Sequence, residues 1–214
     1  MEFITNLDLQ TLITTVGYVG LFAIVTAESG LFIGFFLPGD SLLFTSGFLA
    51  SQNILNIWIL IPLIFIAAIV GDSIGYAFGK HIGPRIFTRD DSLFFNKKHL
   101  IRTQAFYEKH GGKTIILARF MPIVRTFAPI LAGVGNMKYS NFLFYNITGG
   151  MLWSGGLTGM GYLLGKTIPN ADKYLLPIIL LIIVISVSPT AYHVLKDKEL
   201  RDDIMNKIKA KLYK

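Results

Sequence analysis

Two arginines, Arg119 and Arg125, stand six residues apart in an otherwise apolar run, RFMPIVRTFAPILAG, from Arg119 to Gly133. An arginine in a membrane-like segment costs at least about 2.5–3.5 kcal/mol on insertion scales, and is retained where it faces a partner, a wet cavity or a ligand. In a continuous helix six residues are about 1.7 turns, which would aim the two guanidinium groups at different faces. Pro122 lies between them and breaks that geometry, so the two can converge. Converging planar forks suit a phosphate. A second apolar stretch, ESGLFIGFFLPGD from Glu28 to Asp40, supplies charges of the opposite sign. It opens another reading, in which each arginine pairs with Glu28 or Asp40 and ties two segments together. Both readings hold if a substrate displaces an acid.

The acids have local alternatives of their own. Glu28 and Asp40 can gate the site or exchange a proton as its exposure changes, yet Asp40 also suits a turn or helix N-cap after Pro38-Gly39. Glu28 also suits an interfacial charge. Asp72, in a Gly-Asp-Ser context, either joins this group as an accessory or bonds a neighbouring helix. The four histidines, His81, His99, His110 and His193, show no metal-ligand spacing, and the chain has no cysteine. No metal or cofactor is expected. Lys113 and Arg119 resemble the start of a lipid phosphatase phosphate-binding motif, but the Pro-Ser-Gly-His element and its later Arg and His are missing, which points away from an enzyme.

What surrounds these residues is membrane-like. The 214-residue chain is 52% hydrophobic and 15% charged, well below the roughly 25% charged content of a soluble domain. Its length suits about three or four spanning helices plus partial insertions in a single membrane domain, 1–214. The first ten residues lack the basic region of a cleaved signal peptide, so residue 1 is expected in the mature chain. Of twenty Lys and Arg residues, eight lie between Lys80 and Lys113, seven between Lys196 and Lys214, and none before Lys80. The positive-inside rule puts both basic segments in the cytoplasm, beside anionic headgroups. No nucleic-acid module accompanies them, so nucleic acid is not an expected partner.

The fold class expected is all-α and polytopic. Residues 9–27 span the membrane or lie partly in its interface. Glu28 to about Ala50, broken by Pro38-Gly39, reads as a re-entrant helical hairpin. Asn56 to Phe78 reads as a spanning helix ending at Lys80. Residues 81–113 form a cytoplasmic amphipathic linker with a short helix near His99 to His110. Thr114 to Met137 repeats the hairpin design, divided by Pro122, Pro129, Gly133 and Gly135. Tyr139 to Gly165 reads as a glycine-rich span, 174–195 as a last transmembrane helix, and 196–214 as a basic cytoplasmic tail.

An internal repeat supports this division. GYAFGKHI from Gly75 matches GYLLGKTI from Gly161 at an offset of 86 residues, and Phe36-Leu37-Pro38 matches Phe120-Met121-Pro122 at an offset of 84. Residues 10–80 and 114–166 are then two copies of a hairpin plus a helix. With residues 81–113 cytoplasmic, the two copies have opposite orientation. Inverted repeats are a transporter pattern, with the site at broken segments near the midplane.

Glu28 with Phe36-Leu37-Pro38-Gly39-Asp40, the Arg119-Phe120-Met121-Pro122 and Arg125-Thr126-Phe127 run, Pro129, Ala132-Gly133 and the Gly-Tyr-x-x-Gly-Lys pair together resemble the DedA family of bacterial membrane proteins, also called the SNARE-associated or VTT-domain superfamily. The resemblance covers roughly residues 10–195. It implies a flippase that returns undecaprenyl phosphate across the bacterial cytoplasmic membrane in a manner dependent on proton-motive force. It also implies functional roles for Arg119 and Arg125 at the phosphate and for Glu28 and Asp40 in gating or proton coupling. Other members of the superfamily are energy-independent phospholipid scramblases or phosphatidylethanolamine transporters, and a structural membrane scaffold is a further alternative. Membrane lipids are the expected partners, and the reading leaves room for a homo-oligomer.

Overall fold

A computed structural model of the chain describes residues 9–30, 39–86, 109, 111–168 and six positions between 173 and 184. Every element within them is a helix: α1 (Leu9–Gly30), α2 (Gly39–Ser51), α3 (Ile57–Ile86), α4 (Lys113–Ala118), α5 (Pro122–Val134) and α6 (Tyr139–Thr167). Pro38 of the first expected turn, the amphipathic helix at His99 to His110 and the basic tail lie outside the described residues, as does nearly all of the last expected span.

Helix α3 carries the apolar stretch Ile57–Ile82, whose 26 residues are the one described helix both long and apolar enough to cross a membrane. At 1.5 Å per residue it reaches roughly 39 Å, beyond the ~30 Å hydrocarbon core. The helix continues past Lys80, where the sequence suggests its end, to Ile86. Helix α6, at 29 residues, is equally long, but it buries Asn146, Ser154 and Thr158 inside the protein. Trp58, Val19 and Met151 expose most of their apolar surface on the outside of the bundle. Lipid satisfies such side chains.

The interruptions are local in cause. Gly17 adopts φ 57° and ψ −157°, a region open mainly to glycine, and kinks α1 there. Met121 is extended at φ −117°, and Pro122 follows as the first residue of α5, where its missing N–H costs nothing. Pro122 therefore starts a helix rather than dividing one. As a result Arg119 caps the end of α4 and Arg125 sits in the first turn of α5. The 13 residues each of α2 and α5 make rods of roughly 20 Å, too short to cross alone.

Helix α2 packs chiefly on α6, α5 chiefly on α3, and α1 on α3. Leu21, Val25, Leu42, Leu43, Leu60, Ile64 and Trp153 form one buried core, while Tyr76, Ile115, Ala128, Ala132 and Phe142 form a second. Glycines set the crossings. Gly47 lies directly on the Thr158 backbone, Gly161 on Phe44, Gly133 on Tyr76 and Gly79 on Ile130, so that any added side-chain carbon would overlap main-chain atoms. One pair of positions 86 residues apart behaves alike: Gly79 of α3 lies on Ile130 of α5, and Gly165 of α6 lies on Ser51 of α2, each too close to admit a side-chain carbon. Gly133→Val should therefore force α5 off α3. The expected cost is about 1–3 kcal/mol, read as a lower unfolding temperature in detergent. Gly155→Ala, which meets nothing within 4 Å, should behave as wild type.

A buried charge cluster around Trp153

All five charged residues singled out in the sequence converge, in two groups. Arg125 reaches across from α5 to α1 and α2. Its Nη2 donates to Glu28 Oε1, and its Nη1 donates to Asp40 Oδ1 at 2.7 Å. One planar fork thus bridges carboxylates that are 97 and 85 residues away in sequence. Arg119 instead takes Asp72 on α3: its Nη2 donates to Asp72 Oδ2 and, at 2.9 Å, to Asn146 Oδ1 on α6. Arg119 does not pair with Glu28 or Asp40, and Asp72 is its acid.

Burial gives these contacts their weight. Glu28, Asp72, Arg119 and Arg125 each expose no more than 4% of their surface. Removing two charges from water costs several kcal/mol per ion, repaid only by close pairing and further hydrogen bonds. Those further bonds come from residues that the sequence reading did not select. Asn146 accepts from Arg119 and donates through Nδ2 to the Ile69 carbonyl at 3.3 Å. The Trp153 indole N–H donates to Asp40 Oδ1 at 2.9 Å. The Trp153 ring centroid lies 4.6 Å from the Arg125 guanidinium carbon and 5.9 Å from that of Arg119. A guanidinium over an indole face at this range gains cation–π attraction, strongest when dry. Trp153 joins the two ion groups into one cluster.

Sequence neighbours shape the cluster. Gly39, the first residue of α2, lies against the Glu28 carboxylate, which leaves no room for a side chain there. An acid at that place also meets the positive end of the helix dipole. Gly150 lies beside Arg119 Nη1, and an added Cβ there would come within 2.6 Å of it. The Pro-Gly-Asp and Gly-Gly pairs thus make space for charged groups as well as for turns. One Trp and one of two Asn residues, in a glycine-rich helix whose single charge is Lys166, are weak signals for this role, since both types also serve as ordinary packing residues.

The pairing is incomplete. Glu28 Oε2, Asp72 Oδ1 and Arg125 Nε are buried with no hydrogen-bond partner among the described residues. Among the described residues three carboxylates face two guanidinium groups, so these five side chains, fully ionised, carry one excess negative charge. Dry protein holds such an excess poorly. The arrangement can accept a proton, exchange partners, or hand its guanidinium groups to another anion.

Trp153→Phe tests the junction. Phenylalanine keeps an aromatic face beside Arg125 but removes the N–H donated to Asp40, a bond to a charged group worth about 1.5–3 kcal/mol. The expected result is a variant that folds with a lower unfolding temperature. An unfolding temperature equal to wild type would place the Asp40 bond outside the stabilising network.

The VTT domain family matches residues 37–163, a span that contains Asp40, Asp72, Arg119, Arg125, Asn146 and Trp153. Protein DedA of Escherichia coli (strain K12) is 46% identical over 205 residues, covering 92% of this chain and 93% of that protein. An uncharacterized membrane protein of Mycobacterium tuberculosis (strain ATCC 25618 / H37Rv) is 44% identical over 172 residues, covering 79% and 75%. Inner membrane protein YqjA of Escherichia coli (strain K12) is 34% identical over 174 residues, covering 77% and 79%. No solved structure matches the chain significantly. With identity of this depth over nearly its whole length, the chain is a membrane protein that belongs to the DedA family of VTT-domain proteins.

Proposed function

We propose that this chain is a flippase for a polyprenyl phosphate, undecaprenyl phosphate, returning the carrier lipid across the bacterial cytoplasmic membrane for reuse in cell-envelope synthesis. The observation that carries the proposal is the pair of buried guanidinium groups beside Trp153, each held by carboxylates that a phosphate can replace. A carboxylate and a phosphate oxygen offer the same planar acceptor pair to an arginine fork. The resting ion pairs then keep the site folded while it is empty. Arg119 and Arg125 hold the headgroup during transfer, Glu28 and Asp40 act as gates or proton carriers, Asp72 holds Arg119 in place, and the prenyl tail remains in lipid.

Charge balance links protons to this step. Among the described side chains the empty cluster has three carboxylates to two guanidinium groups, and a phosphate adds further negative charge. Entry of the lipid therefore requires protons on Glu28, Asp40 or Asp72. This is a physical route to dependence on proton-motive force. The cycle makes and breaks no covalent bond, so no catalytic residue and no cofactor is assigned.

The topology proposed is an inverted repeat, residues 10–80 against 114–166, each copy contributing a re-entrant hairpin to the site, with the C-terminus cytoplasmic. The short α2 and α5 rods, the crossed packing of α2 on α6 and α5 on α3, and the matching glycine contacts at an 86-residue offset support it.

The test uses purified protein in liposomes with labelled undecaprenyl phosphate and, separately, labelled phosphatidylethanolamine, with and without a pH gradient. The proposal expects faster loss of sidedness for the polyprenyl phosphate, increased by the gradient. Equal movement of both lipids without any gradient effect supports a scramblase instead. No movement of either lipid leaves a scaffold.

A further inference from the structure

At the end of the bundle where α3 begins, away from the charge cluster, the structure has a cavity of about 450 Å³ between Tyr18 of α1, the Asn53–Trp58 segment and Tyr162 of α6. Its size is that of a small-ligand or headgroup site. Its lining is mostly polar. The Tyr18 hydroxyl oxygen accepts the Asn56 N–H at 2.7 Å, and Asn56 Oδ1 accepts the Trp58 N–H at 2.9 Å. With those acceptors engaged, Tyr18 O–H and Asn56 Nδ2 remain to donate, along with the Asn53 amide and the Trp58 indole N–H. Among the described residues no acid lines the cavity, and none occurs in the sequence between Asp40 and Asp72. Lys166, exposed on the last turn of α6, holds its ammonium 5.0 Å from the Tyr162 ring. A donor-rich cavity with a cation at its edge fits an oxygen-rich anion.

The surroundings say how that anion arrives. Trp58 is 85% exposed, and Ile54 and Ile59 are each about half exposed, so the mouth lies beside apolar surface. Trp58 and Lys80 are 22 residues apart on α3, roughly 33 Å, which places the cavity at one membrane interface and Lys80 at the other. Tyr18, Trp58 and Tyr162 are the aromatic types that settle at headgroup depth.

Counting along α2 from Asp40 to Ala50, along α6 from Trp153 to Tyr162 and along α3 from Asp72 to Trp58, the cavity lies roughly 14–21 Å from the cluster. Thr45 and Thr158 lie between the two on the seam of α2 and α6, fully buried, with hydroxyls that have no partner.

We infer that this cavity is a second lipid-phosphate site, a docking position at the interface from which a phosphate headgroup passes on toward the Trp153 cluster. It rests on the proposed function only for the direction of onward transfer; binding at the cavity follows from its own donors.

Photo-crosslinking on the full chain in detergent micelles tests it, using a long-chain alkyl phosphate that carries a diazirine next to its phosphate. Label is expected on residues 51–58 and 162–166, displaced by unlabelled alkyl phosphate and not by the matching alkanol. Asn53, at φ 63°, tolerates aspartate sterically, so Asn53→Asp keeps the backbone and turns a donor into a negative charge. That variant should label about tenfold less, as expected from losing a bond to a charged group. Lys166→Gln, on an exposed side chain, should label about threefold less. Arg125→Lys, which keeps the buried charge paired, should retain the label here even where lipid transfer is slowed, which separates this site from the cluster. Label confined to residues 119–125 and 153, or unchanged labelling in both Asn53→Asp and Lys166→Gln, would overturn the inference. Displacement by inorganic phosphate as effective as by alkyl phosphate would overturn the lipid assignment.

Discussion

Arg125→Gln is expected to lose lipid transfer and to unfold far more readily than wild type. Glutamine leaves Glu28 buried and Asp40 nearly so, facing no cation from α5. Breaking a buried ion pair by removing one partner costs about 3–5 kcal/mol. Arg125→Lys separates stability from function. Lysine restores a positive charge but has no planar fork, so it cannot serve Glu28 and Asp40 in parallel or stack on Trp153 as a guanidinium does. The lysine variant should fold in good yield and move lipid at least about tenfold more slowly, the loss of one charge-assisted hydrogen bond. Transfer at the wild-type rate in the lysine variant would show that only charge matters there.

The second large effect is expected at Asp72. Arg119 has Asp72 as its carboxylate and Asn146 as its neutral partner, both at buried positions. Asp72→Ala strands that guanidinium and should cost about 3–5 kcal/mol. Adding Arg119→Met removes the stranded charge, and apolar replacement of a whole buried pair is often neutral or stabilising. The double variant should therefore regain most of the lost unfolding temperature while remaining inactive in liposomes. A double variant as unstable as Asp72→Ala alone would mean that the pair does not act as a unit.

These two variants also show what the sequence made legible. Arg119, Arg125, Glu28 and Asp40 stand out because charge in an apolar run is costly and rarely idle, and the structure brings all four to the same buried region. The pairing was not legible. Nothing local distinguishes Asp72 from Asp40 as the partner of Arg119, because the choice is made by helices meeting across 47 residues of sequence. Trp153, 113 residues from Asp40, reads in isolation as an interfacial or packing aromatic. Its role comes from α6 crossing α2 where Gly47 and Gly161 let the backbones touch.

The helices show the same division. Apolar length marks α3, which runs past the expected end at Lys80 to Ile86, and Pro122 marks the break between α4 and α5. Pro122 as a helix start, with Arg119 and Arg125 on either side of it, follows from the backbone at Met121, which the sequence only brackets. The 86-residue repeat was visible in GYAFGKHI and GYLLGKTI. That Gly79 comes to lie on Ile130 of α5 and Gly161 on Phe44 of α2 depends on tertiary packing.

The central claim is that a lipid phosphate replaces carboxylates on the buried arginines and draws protons into a cluster already rich in acid. The direct measurement is proton uptake when a short-chain polyprenyl phosphate is added to the purified protein in weakly buffered detergent solution with a pH indicator, after subtraction of the lipid's own titration. Uptake of at least about one proton per bound lipid is expected, because dry protein does not hold the added negative charge unpaired. The uptake should disappear in the double variant Arg119→Met, Asp72→Ala. Saturable lipid binding with no proton uptake in the wild-type protein would contradict the account.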